Sequence, residues 1–102
     1  MTLESWLRER TPAPPRRLAE RIGDVLGDRA ARPATEAHDL CLDAAVELLG
    51  EVYCRPGGRE SALDLLTVDA LVTYAFEAAA AEPAKLHERA LSAMSRLSLV
   101  PQ

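Results

Sequence analysis

From Ser61 to Ala81, only Asp64, Thr67, Asp69, Thr73 and Glu77 interrupt a run of Leu, Val, Ala, Tyr and Phe long enough for about six turns of helix. Asp69, Thr73 and Glu77 recur at a spacing of four, so they form one narrow polar stripe, and apolar side chains cover most of the remaining circumference. A helix apolar on most sides must be surrounded. The rest of the chain therefore reads as its coat, supplemented by a second copy or a partner wherever the coat falls short.

The 102 residues suit one domain with a modest core. Alanine and leucine dominate the 48% hydrophobic content, while Trp6, Tyr53, Tyr74 and Phe76 are the only aromatics, a balance that favours helices packed closely through small side chains. No segment alternates with the period of a strand and no repeat of 20 residues or more occurs. The expected fold is all-α, a compact bundle of four to five helices with a central apolar helix over about 61–81.

Prolines and glycines set the boundaries. Thr2 can cap a short first helix over 1–11 carrying Leu3, Trp6 and Leu7, which the proline-rich break at 12–15 stops, since proline lacks a donor and restricts the residue before it. A second helix starts near Pro15 with Leu18, Ile22, Val25 and Leu26 on one face, and Gly27 or the Ala30 to Pro33 stretch ends it. The third runs from a Thr35 cap to Tyr53, with Cys41, Ala45, Leu48, Leu49 and Val52 inward. Arg55 to Arg59 reads as a turn, after which Ser61-Ala62-Leu63-Asp64 has the form of a capping box opening the fourth helix. Pro83 suits the first turn of a fifth helix carrying Leu86, Ala90, Ala93, Met94 and Leu97, and 98–102 is expected to fray.

Charge narrows the range of partners. Residues 1–32 carry a net +2 and residues 33–102 a net −6, giving −4 for the chain. No helix concentrates basic residues, so phosphate backbones and anionic membranes are poor partners. Glu4, Arg8, Glu9 and Arg10 break up the N-terminal stretch, leaving no signal-peptide core, and Asp64, Asp69 and Glu77 argue against a membrane span. A cytoplasmic location is expected, in keeping with two reduced thiols: Cys41 and Cys54 on one helix lie on the order of 20 Å apart, too far to bridge. Eleven arginines to one lysine, with abundant alanine, suggest a GC-rich bacterial genome.

Chemistry-bearing clusters are few. Asp39, Asp43, Glu47 and Glu51 are spaced by four, with Glu36 just before them, and no basic residue intervenes from 33 to 54. They line one face of the third helix as a candidate interaction surface, and their repulsion calls for arginines from 16, 17, 21, 29 or 32, a basic partner, or divalent cations. A solvated face is the simpler reading. His38 and Cys41 share a helical face, yet two ligands do not make a zinc site and His87 is far away in sequence. Gly23 and Gly27 read as a weak or terminating helix. With two histidines and scattered serines, no catalytic constellation stands out, and Pro56-Gly57-Gly58-Arg59 lacks the lysine and hydroxyl of a phosphate loop. No cofactor is indicated.

One local likeness carries an expectation of its own. Leu65-Leu66-Thr67-Val68-Asp69-Ala70-Leu71-Val72-Thr73-Tyr74-Ala75-Phe76-Glu77 resembles the helix of isoprenyl (polyprenyl) diphosphate synthases that commonly reads L-A-G-D-A-L-x-T-x-A-F-E. Ala44 to Leu49 is similar to the helix before that family's first aspartate-rich motif. The resemblance implies helix packing around Asp69 and Phe76. It implies no prenyl transfer, because the chain has no adjacent aspartates to hold magnesium against a diphosphate and is about a third of the length of those enzymes.

The functional expectation is a small non-enzymatic helical protein acting in protein–protein interaction or scaffolding, with self-association as a homodimer. Helices one and two are short, so their coat leaves part of Leu65, Val68, Leu71, Val72 and Phe76 uncovered for a partner. The alternative is a bundle that binds a small apolar ligand beside the central helix, with Leu65, Val68, Asp69, Val72, Thr73 and Phe76 as core or pocket residues.

Overall fold

Five helices and two short 3-10 turns account for most of the described residues in the computed structural model, which describes residues 1–55 and 59–98. Helix α1 spans Leu3–Arg8, α2 Arg16–Leu26, α3 Ala37–Tyr53, α4 Arg59–Ala80 and α5 Pro83–Ser98. No strand occurs among the described residues, so the protein is all-α, as the small-residue composition implies.

Local chemistry explains most of the boundaries. The Thr2 hydroxyl accepts from the Ser5 backbone N–H at 3.2 Å, which caps α1 as expected. Helix α2 begins directly after Pro15 and ends at Gly27, whose φ of +53° suits a residue without a side chain. Thr35 is not the cap of α3. It sits inside a 3-10 turn over Ala34–Glu36 that follows the extended Pro33, so the cap is Glu36 and α3 starts one residue later than the spacing suggests. Helix α4 begins at Arg59, which puts Ser61 and Asp64 inside it and leaves the capping-box expectation unmet. Arg59 of the turn expected over Arg55 to Arg59 is instead the first residue of α4, Ser98 of the tail expected to fray over 98–102 is still helical, and 56–58 and 99–102 lie outside the described residues.

Helices α3 and α4 pack along their length and form the core, where Leu40, Cys41, Ala44, Ala45 and Leu48 meet Val68, Leu71, Tyr74 and Ala75. Cys41, Ala44, Ala45, Leu71 and Ala75 are fully buried, and the small residues among them let the two backbones approach closely. Helix α2 adds Ile22 and Leu26, and α5 adds Ala93. The expected inward stripe of α3 holds for Cys41, Ala45 and Leu48, while Leu49 and Val52 are half-buried.

The N-terminus is tied down by backbone rather than by helix packing alone. Leu3 N–H donates to the Arg32 carbonyl at 2.8 Å and Ala34 N–H donates to the Met1 carbonyl at 2.9 Å, an antiparallel bridge between Thr2 and Pro33. Leu3 is fully buried as a result. The edge of the Trp6 ring meets Tyr74 of α4 with centroids 6.4 Å apart, which fixes α1 against the central helix.

Candidate functional site

Helix α4 is less enclosed than its composition implies. From Ser61 onward its buried positions are Ser61, Asp64, Thr67, Val68, Leu71, Tyr74, Ala75 and Ala79, most of them three or four apart, so a single face enters the core and three polar residues go in with it. The Thr67 hydroxyl is satisfied by donating to the Leu63 carbonyl at 2.8 Å. Asp64 is 3% exposed and accepts from Arg21 Nε at 2.7 Å and from Arg55 Nη2 at 2.5 Å. One carboxylate therefore joins α2, α4 and the segment just after α3. The hydrogen bond from Arg21, helped by Arg55 and opposed by burial, holds the Asp64 carboxyl below the usual carboxylate range.

The outward side carries what the coat leaves over. Asp69, Thr73 and Glu77 are exposed, in keeping with a polar stripe, and the Thr73 hydroxyl donates to the Asp69 carbonyl. Of the candidate core or pocket residues, Val68 is buried and Val72 half-buried. Leu65 and Phe76 must be corrected as core residues: they are 48% and 38% exposed, on the outside of the helix with Asp69 and Thr73. The physical reason is the one-sided packing of α4, whose neighbours α3, α2 and α5 leave the opposite surface bare. Leu65, Asp69, Val72 and Phe76 follow one another at four, three and four, the spacing of a helix–helix seam.

The acidic face of α3 is partly neutralised from within. Glu36 pairs with Arg32 at 2.6 Å, Asp43 with Arg96 of α5 at 2.5 Å and Glu47 with Arg29, while Asp39 and Glu51 stay exposed. Arginines 29 and 32 were among the expected compensators. Arg96 was not, because its proximity depends on how α5 returns along α3. Arg21, another expected compensator, is committed to Asp64 instead.

His38 and Cys41 are both buried but serve packing. His38 Nδ1 donates to the Ala75 carbonyl at 3.0 Å, pinning α3 to α4, and burial pushes the Cys41 thiol up to about 12. Both cysteines are free, Cys54 being exposed. Among the described residues, no three of His, Cys, Asp and Glu are placed to hold a metal ion, and no helix is long and apolar enough to cross a membrane.

A cleft of about 510 Å³ opens between α1 and α2, on a side of α4 that the sequence did not single out. Leu7, Ile22, Leu26, Ala19 and Ala30 give it an apolar wall, Ala13 and Pro14 of the connecting segment also line it, and Tyr74 is the contribution of α4. Tyr74 and Phe76 are two residues apart, hence about 200° apart around the helix, so the cleft is not the pocket expected beside Phe76. Glu4 and Arg8 at its rim pair with each other at 2.5 Å. Arg10 lies with its guanidinium carbon 4.3 Å from the centre of the Trp6 ring and donates from Nε to the Trp6 carbonyl. Gly23 also lines the cleft, and a Cβ built there meets nothing within 4 Å.

Comparison with protein-family models, with curated proteins and with solved structures finds no match to this chain.

Proposed function

We propose that this is a non-enzymatic interaction protein that self-associates through the outward strip of α4. The observation that carries the reading is the seam of exposed Leu65 and Phe76 with the half-buried Val72 between them, and Asp69 as its one charge. Apolar side chains at seam spacing gain most when another helix covers them.

A second copy fits the strip in one orientation. Antiparallel pairing about a two-fold axis near Ala70 and Leu71 sets Leu65 of one copy opposite Phe76 of the other, and Asp69 opposite Val72. Parallel pairing in register would stack Asp69 on Asp69, a like-charge contact that disfavours it. The antiparallel arrangement keeps the acids apart and joins the apolar ends. The exposed acids Asp39 and Glu51 lie on α3 and play no part in the seam.

Size-exclusion chromatography with light scattering tests the reading. At high micromolar concentration the expected mass is twice the 11.1 kDa of the single chain, falling towards it on dilution. A mass of one chain at every concentration would overturn self-association.

A further inference from the structure

We infer that the cleft between α1 and α2 is a binding site for a small amphipathic carboxylate, with Arg10 taking the head group and Leu7, Ile22 and Leu26 the tail. This is independent of association through α4, since none of the seam residues lines the cleft.

Three observations converge. The first is size and lining: a half-open apolar cleft of about 510 Å³ lies within the range of about 300–1,000 Å³ typical of small-molecule sites. The second is polarity at one point. Glu4 and Arg8 neutralise each other, which leaves Arg10 as the cationic group of the lining with no carboxylate partner among the described residues. Stacking on Trp6 and the bond from Nε to the Trp6 carbonyl hold the guanidinium in place, with both terminal nitrogens left to form the paired hydrogen bonds that a carboxylate accepts.

The third observation is Gly23. A glycine in the interior of a helix weakens it, and here a side chain would meet open space rather than a neighbour. The missing side chain is thus not required by packing. It leaves room in the cleft.

Charge count selects the class of ligand. One uncompensated arginine balances one negative charge, so a monocarboxylate fits where a phosphate monoester, carrying up to two charges beside Glu4, would be undercompensated.

Decanoate is a suitable probe and the single tryptophan, Trp6, the reporter, titrated below the micellar concentration at pH 7 with decanol as the uncharged control. Saturable decanoate binding is expected. Arg10→Gln should weaken it about tenfold while leaving decanol unchanged, and Arg10→Lys should restore most of the loss, because charge-assisted hydrogen bonds carry the head group. Gly23→Leu fills the cleft and should abolish binding of both probes while the melting temperature holds or rises, so that loss of binding is not loss of fold. Absence of saturable decanoate binding overturns the site. Retained binding in Gly23→Leu places the ligand elsewhere and overturns it equally. Decanoate and decanol responding alike to Arg10→Gln overturns the assignment of a carboxylate.

Discussion

Replacing Asp64 with asparagine removes the charge that joins α2, α4 and the segment just after α3 while keeping the size of the side chain. In a fully buried setting, two charge-assisted hydrogen bonds contribute about 1.5–3 kcal/mol each. Here the carboxylate side chain is 4% exposed, but Arg21 and Arg55 are 31% and 38% exposed and rehydrate when released. Exposed pairs contribute only about 0–1 kcal/mol, so the discounted total is about 2 kcal/mol. For a domain of this size, that lowers Tm by about 8–15 °C. Thermal unfolding followed by circular dichroism at pH 7 measures it. Because the folded carboxyl lies below its unfolded value of about 3.9, the stabilisation is fully present above that value and is lost as pH falls through the folded one. The gap between wild type and Asp64→Asn should stay constant from pH 7 to about 5 and narrow below about 4. A gap under about 0.5 kcal/mol at pH 7, or one that does not change on acidification, would refute the role given to this carboxylate.

Further outcomes follow from individual side chains. Gly50 lies inside α3 with open space where a Cβ would project, so Gly50→Ala should stabilise the protein by about 0.5–1 kcal/mol in chemical denaturation. A thiol reagent at pH 8 should modify Cys54 rapidly and spare Cys41, whose thiol is buried and raised to about 12, until denaturant is added; mass spectrometry counts the adducts. His38→Ala removes the bond to the Ala75 carbonyl and opens a cavity between α3 and α4, with an expected loss of about 2–4 kcal/mol in the same denaturation assay.

The helical class and most helix boundaries were legible because they depend on local chemistry: a threonine cap before α1, a proline before α2 and a glycine after it. The Thr35 cap and the Ser61–Asp64 box failed for a shared reason. Each motif needs a particular backbone conformation at its first residue, and the 3-10 turn over 34–36 and the earlier start of α4 removed it. The inward face of α4 was misread because hydrophobicity alone does not say which apolar residues a one-sided coat will reach. Asp64 looked like an interruption, whereas Arg21 and Arg55, 43 and nine residues away, make it a core element. Nothing in sequence spacing could place those three groups together. The cleft was invisible for the same reason, being assembled from α1, α2, their connection and a single tyrosine of α4. Gly23 was its one readable trace, as a helix-weakening residue without a turn to explain it.

The outward strip of α4 is tested most directly by placing charge on it. In the double variant Leu65→Glu and Phe76→Glu, both residues change on a surface that the core does not use. Light scattering at high micromolar concentration should report the 11.1 kDa single chain where the wild type gives twice that mass, with Tm within a few degrees of the wild type. A variant that keeps the wild-type mass, or one that unfolds as a core substitution would, contradicts the assignment of this face to a second copy.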